Sequence, residues 1–142
     1  MPISEPVSTK NFVFPSTFDV LDGLVDETMQ FYAQAINDED LVYNIVLVAT
    51  ELVTNAIEHG NALVESKKVF VTLAYNNEVA AISVRDEGQG FNPATIDNPL
   101  SSDSLLAEGG RGIFLIEQIA DRVEYENNGQ TVVSYFDYTK DK

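Results

Sequence analysis

Glu51-Leu-Val-Thr-Asn55-Ala-Ile-Glu58-His59 is the stretch from which the rest of this chain can be read. Offsets of four, seven and eight residues stack on one helical face, so Glu51, Asn55, Glu58 and His59 share a stripe. The opposite stripe of Val42, Ile45, Ala49, Leu52, Val53 and Ala56 is apolar and reads as core. The spacing predicts a helix restarted at Asn37 and Asp38, running from Asp40 to His59 and stopped by Gly60 and Asn61. Burial explains the apolar stripe. It does not explain a carboxylate, an amide and an imidazole gathered on the other face. Two glycine-rich segments follow, Asp86-Glu-Gly88-Gln-Gly90 and Gly109-Gly110-Arg111-Gly112. Together the three point to a magnesium-nucleotide site with a base beside it.

Patterning outward from this helix supplies the other elements. Residues 1–9, with Pro2 and Pro6 and no periodicity, read as a loose lead-in. Asn11 to Phe14 is a short strand ended by Pro15, and Ser16 or Thr17 caps a helix reaching about Ile36. Val20, Leu21, Leu24, Val25, Thr28, Phe31 and Tyr32 follow helical spacing within it. Val69–Tyr75 and Val79–Arg85 alternate as strands, with Asn76 and Asn77 expected to take the positive φ angles of a tight hairpin. From Asn92 to Glu108 runs a long polar loop, of a length that inside a domain is functional or mobile. Ile113–Ala120 reads as a helix, and Arg122–Asn127 with Thr131–Tyr138 as a second hairpin around Asn128 and Gly129. Hairpins rather than crossovers build this sheet. The expected class is therefore α/β of the α+β kind: a two-layer sandwich with a mostly antiparallel mixed sheet and helices on one face, residues 1–142 forming one domain.

Composition narrows the function. A chain of 142 residues can bury one sizeable core. Its formal charge of −15 repels phosphate backbones, which argues against nucleic acid and suits a basic patch on a protein partner or plain solubility. There is no cysteine, hence no disulfide or thiolate metal site. No apolar run approaches the ~20 residues of a membrane span, and Met1 to Pro6 lacks a signal-peptide pattern. The cytoplasm is the expected compartment.

Each motif has a chemical reading and a plainer one. A carboxylate at a strand end, such as Asp86, can accept from an exocyclic amine and so select adenine, while Gly88 and Gly90 let backbone lie against a ring or phosphate. The same residues also fit an ordinary Asp-Gly turn. Gly109, Gly110 and Gly112 before a helix offer N–H groups to an anion, with Arg111 adding charge, or form a hinge with Arg111 in solvent. Magnesium needs only one or two protein oxygens beside the substrate phosphates, so Asn55 suffices as a ligand. Glu51, one turn away, could take a proton from a hydroxyl attacking the γ-phosphoryl group. Alternatively both belong to a solvated helix face. Glu58 fits that face, and His59, the only histidine, serves equally as a helix-terminal cation.

Order and context join these signals. At this point the chain resembles the GHKL, or Bergerat-fold, ATPases, and within them the anti-sigma-factor serine kinases of bacterial partner-switching systems. Glu51-Leu-Val-Thr-Asn55-Ala-Ile-Glu-His59-Gly matches the asparagine box, Asp86-Glu-Gly88-Gln-Gly90-Phe91 the first glycine box, and Gly109-Gly110-Arg111-Gly112-Ile-Phe-Leu-Ile the second. The resemblance implies that Asn55 binds Mg2+, Asp86 contacts the adenine amine, and Gly88, Gly90, Gly109, Gly110 and Gly112 line the ATP pocket. His59 and Arg111 fall inside these boxes and are counted with the nucleotide-binding set. The loop from Asn92 to Glu108 would be the ATP lid and Glu51 the general base. The implied activity is phosphorylation, at serine or threonine, of an anti-sigma-factor antagonist, together with sequestration of a sigma factor, by a homodimer. The alternative is a module that uses ATP structurally and sequesters a partner without phosphorylating it. A histidine-kinase catalytic domain parted from its dimerisation helix, or a scaffold with incidental glycines, are lesser readings.

Overall fold

The computed structural model describes residues 3, 5–88, 108–127 and 129–139. Strand β1 (Ser8–Pro15) leads through a 3-10 turn (Phe18–Val20) into helix α1 (Leu21–Ala33) and helix α2 (Glu39–Asn55). Helix α2 continues as a single π turn, Ala56–Gly60. Strands β2 (Lys68–Tyr75) and β3 (Val79–Arg85) follow, then helix α3 (Glu108–Ile119) and strands β4 (Arg122–Glu126) and β5 (Thr131–Asp137). The strands form one sheet in the order β1-β2-β3-β5-β4. Every pairing is antiparallel, so the described sheet contains none of the parallel pairs that a mixed sheet would have. The fold is α+β.

Alternation sorts the sheet's faces. Val69, Val71, Leu73, Ile82, Val84, Val132 and Phe136 point to the helical layer and make the main core with Leu24, Phe31, Ile45, Leu52, Ile57 and Ile116. Ala81, Val133 and Tyr135 point the other way and form a smaller cluster with Ile3 and Val79. Tyr32 of α1 reaches the paired residues Ala74 and Ala81, donating its hydroxyl to the Ala81 carbonyl (2.5 Å) and accepting from the Ala74 N–H (3.3 Å).

Helix α2 starts where Asp38 accepts from the N–H groups of Asp40 and Leu41 (3.0 and 3.2 Å), with Glu39 and Asp40 favourably placed against the helix dipole. Its continuous run Glu39–Gly60 is 22 residues long, and an 18-residue window within it reaches a mean hydropathy of 1.3. By length and composition alone it passes for a membrane span, although Glu39, Asp40, Glu51 and Glu58 interrupt any apolar run. Half of that window is buried within the domain, where its apolar stripe packs on the sheet. Among the described residues no other helix has that length and character.

Several boundaries differ from expectation for local reasons. Strand β1 begins at Ser8, ahead of Asn11, because pairing with Tyr75 extends it through residues of no hydrophobic pattern. Thr17 holds the N-cap position of the 3-10 turn that leads into α1, with extended backbone but no side-chain cap bond, and α1 itself begins only at Leu21. The buried Ser16 hydroxyl instead donates to the Lys67 carbonyl (2.6 Å). Asn76 and Asn77 have no positive φ; the Asn76 side-chain Oδ1 closes the hairpin by accepting from the N–H groups of Glu78 and Val79, both at 2.8 Å. At the last hairpin the positive φ angles belong to Asn127 (54°) and Gly129 (84°), with Asn128 outside the described residues. Helix α3 begins at Glu108, so the glycine run lies within its first turns rather than ahead of them.

Candidate functional site

The C-terminal end of α2 and the early turns of α3 meet at Asn55. A methyl group on Gly112 would lie 2.9 Å from the Asn55 Nδ2, 3.1 Å from its Oδ1 and 3.2 Å from the Glu51 Oε2. Only hydrogen fits there without displacement, so the glycine is what lets α3 close on the polar face of α2. Glu51, Asn55 and Gly112 thus share one site, with both side chains half-buried. The Asn55 Nδ2 is buried and has no hydrogen-bond partner. A buried polar atom left unsatisfied in a folded protein calls for an explanation, and an absent ligand is one.

The second half of the site begins where α2 widens. The Asn61 N–H closes the π turn on the Ala56 carbonyl (2.8 Å), and π turns inside helices concentrate at functional sites. Gly60 at its end lies against the carboxylate of Asp86, and the Gly60 carbonyl lies against Gly88; at either glycine a methyl group would overlap those atoms. The loop after β3 is therefore packed backbone-to-backbone on the end of the asparagine-bearing helix. Four further bonds hold it. The Asp86 N–H donates to the Gln130 carbonyl (3.1 Å), and the Gln130 Nε2 donates to the Gly88 carbonyl (2.8 Å). The Glu87 N–H donates to Asn61 Oδ1 (2.8 Å), while Glu87 Oε1 accepts from the Lys68 N–H (2.6 Å).

Asp86 is only 7% exposed. Its Oδ1 accepts from the Gly88 N–H at 2.8 Å. Burial raises its pKa above the ordinary aspartate value of 3.8, partly offset by that N–H and by the charges of Arg85 and Lys67. The folded protein therefore holds this proton more tightly than the unfolded chain does. The resulting contribution to stability falls as pH rises from the ordinary aspartate value through the folded one, and is level above it. Asp86→Asn is expected to unfold at a higher denaturant midpoint than wild type at neutral pH without nucleotide, the gap closing on acidification below the aspartate range. Parallel pH profiles for the two proteins would show that Asp86 is not the group responsible.

The remaining residues are placed as follows. His59 sits in the π turn, half-exposed, with its Nε2 3.6 Å from Glu58 Oε2. Gly109, Gly110 and Arg111 form the first turns of α3, where a helix has N–H groups without internal partners. Gly90, Phe91 and the loop of residues 92–107 lie outside the described residues. Asn61 and Gln130, which fix the Asp86 loop, carry no motif, and Gly60 reads in the sequence as a helix stop. Only the offset between a polar residue and its burial marks Asn61, and burial is not visible in a linear pattern.

Residues 14–135 match the model of the histidine kinase-like ATPase domain. The chain belongs to that family. This ATPase domain, by its kind an ATP-binding one, is 35% identical over 109 residues to an anti-sigma F factor of Geobacillus thermodenitrificans (strain NG80-2), covering 72% of this chain and 73% of that protein. It is 31% identical over 117 residues to an anti-sigma F factor of Anoxybacillus flavithermus (strain DSM 21510 / WK1), covering 79% and 80%. Among solved structures, the RsbU and RsbW domains of Rv1364c from Mycobacterium tuberculosis superpose with a TM-score of 0.54 at 18% identity, over 93% of this chain. That likeness is one of fold, and the ATPase domain spans 33% of that longer chain.

Proposed function

We propose that the ATPase domain is a Mg-ATP-dependent protein serine/threonine kinase that phosphorylates an anti-sigma-factor antagonist and, in its nucleotide-bound state, holds a sigma factor inactive. The observation that carries this reading is the meeting of Glu51 and Asn55 on one face of α2 against Gly112, with the Asn55 Nδ2 buried and lacking an acceptor such as a phosphate oxygen would supply. The names of the relatives support the choice of partners.

In this reading the Asn55 side-chain oxygen holds the magnesium ion. Among the described residues no group of three acidic or histidine side chains could hold a metal, so the donor set fits an ion that takes most of its ligands from phosphate and water. When bound, magnesium supplies charge neutralisation for the β- and γ-phosphates. Asp86 accepts from the adenine amine, and Gly60 and Gly88 keep the backbone flat beside it. Glu51 accepts the proton of the partner's hydroxyl as that oxygen bonds to the γ-phosphorus, and ADP leaves with the electrons of the broken bond. Positioning and charge dominate such transfers, which suits a site built from one amide, one carboxylate and backbone. The domain works in the cytoplasm as a homodimer, and its acidic surface favours a basic partner face.

Incubation with γ-labelled ATP and a native lysate tests this. Magnesium-dependent labelling of one small protein is expected. Absence of label, in a sample where ATP binding is measured directly, would replace the kinase with a module that only sequesters.

A further inference from the structure

Asn61 ends the π turn, and its own N–H already does so by bonding the Ala56 carbonyl. Its side chain has no part in that local stop. It is fully buried, and its bonds go to three other segments of the chain, two of them distant. The Nδ2 donates to the Ser16 hydroxyl (2.8 Å), 45 residues away, and to the Lys68 carbonyl (2.9 Å). The Oδ1 accepts from the N–H of Glu87 (2.8 Å), 26 residues away, between Asp86 and Gly88. The amide can adopt only one orientation. Lys68 offers a carbonyl and Glu87 an N–H, so a flipped amide would set acceptor against acceptor and donor against donor. Ser16 is committed as well, since its proton goes to the Lys67 carbonyl (2.6 Å). The chain then leaves Asn61 through Ala62 and Leu63, both at positive φ (51° and 63°), a region that side-chain-bearing residues avoid.

We infer that Asn61 is a positioning residue that fixes the loop bearing Asp86 and thereby sets the base selectivity of the nucleotide site. This rests on the nucleotide reading above. Asp86 can discriminate a base only if its carboxylate is held still. Its own bond to the Gly88 N–H lies within the loop and cannot anchor the loop to anything else. Asn61 ties the middle of the loop to the ends of β1 and β2, and Gln130 ties its far side to the start of β5. Phosphate and metal binding lie elsewhere, at Asn55 and α3, so loosening the loop affects the base and spares the phosphates.

The test compares wild type, Asn61→Ala and Asn61→Asp for affinity toward Mg-ATP, Mg-GTP and Mg-tripolyphosphate, the last lacking a base. Asn61→Ala is expected to lose about tenfold in ATP affinity, the size of one buried hydrogen bond, with a matching fall in the ATP-to-GTP ratio and unchanged tripolyphosphate binding. Asn61→Asp keeps an acceptor for the Glu87 N–H and is expected to retain the ratio, though it melts lower because a carboxylate then faces the Lys68 carbonyl. Equal losses for ATP and tripolyphosphate, an unchanged ratio in Asn61→Ala, or equal loss of the ratio in both variants would overturn the proposal. Amide exchange at Glu87 in nucleotide-free wild type tests the same bond with no substitution. Protection is expected, and exchange at open-loop rates overturns the proposal even if Asn61→Ala does not fold. A wild type that binds ATP no better than tripolyphosphate would instead refute the nucleotide reading itself.

Discussion

Glu51→Gln is expected to slow phosphoryl transfer by about 10²- to 10⁴-fold, the usual worth of a general base, while ATP affinity stays at the wild-type value. The substitution preserves length and shape, so the close approach of α3 at Gly112, 3.2 Å from Glu51 Oε2 to a methyl placed there, is undisturbed. It removes the negative charge and the capacity to take a proton, and replaces one carboxylate oxygen by an amide donor. Under single-turnover conditions with saturating ATP, the loss should appear wholly in the transfer rate and not in the concentration dependence. A variant that transfers at the wild-type rate would exclude Glu51 as the base. A variant that no longer binds ATP would reassign Glu51 to the binding of the metal-nucleotide complex.

The second large effect concerns the two glycines that join α2 to the Asp86 loop. Gly60 does not have a positive φ, so alanine suits its backbone and is the better helix former. The added methyl would nonetheless overlap the carboxylate of buried Asp86 and lie 2.9 Å from its Cβ; side-chain rotation can move the carboxylate but not the Cβ. Gly60→Ala is therefore expected to lose ATP binding and some stability, though less stability than Gly88→Ala. At Gly88 the overlap is with the Gly60 carbonyl, which is backbone and cannot rotate away. Gly88→Ala is expected to cost about 1–3 kcal/mol of folding free energy, the range for overpacking, as well as nucleotide binding. Denaturant melts paired with nucleotide titrations separate the cases. If Gly60→Ala bound ATP normally, the Asp86 carboxylate would have no part in base recognition.

The sequence makes some parts of this molecule plain and hides others for physical reasons. Helix α2 is legible because it buries one face and so leaves a period in the chain. Strands β2, β3 and β5 are legible because they are short runs rich in apolar and β-branched residues, β3 and β5 being buried on both faces. The offset of Glu51 from Asn55 survives because both lie within the α-helical part of α2. His59 lies beyond it, in the π turn, where the spacing of 3.6 residues no longer holds. Helix α3 reads too short, because glycine disfavours helix and only tertiary contact at Asn55 explains its presence there. Ser16 has the composition of a helix cap, but its hydroxyl is taken by Lys67 and Asn61 across the fold. Asn61 and Gln130 work through partners remote in sequence, and no local pattern reveals a partner.

The clamp on the Asp86 loop also sets an order of events for a chain being made. Helices α1 and α2 separate β1 from β2, and the register joins Ser8 to Tyr75, so sheet formation waits on contacts distant in sequence, which favours slow folding. The Asp86 N–H and the Gly88 carbonyl both bond Gln130, between β4 and β5. A nascent polypeptide still held in the ribosome at that residue would already include the segment of α2, Glu51 and Asn55 among it, yet have no rigid seat for a base. Competence to tell one nucleotide from another would arrive only with β5.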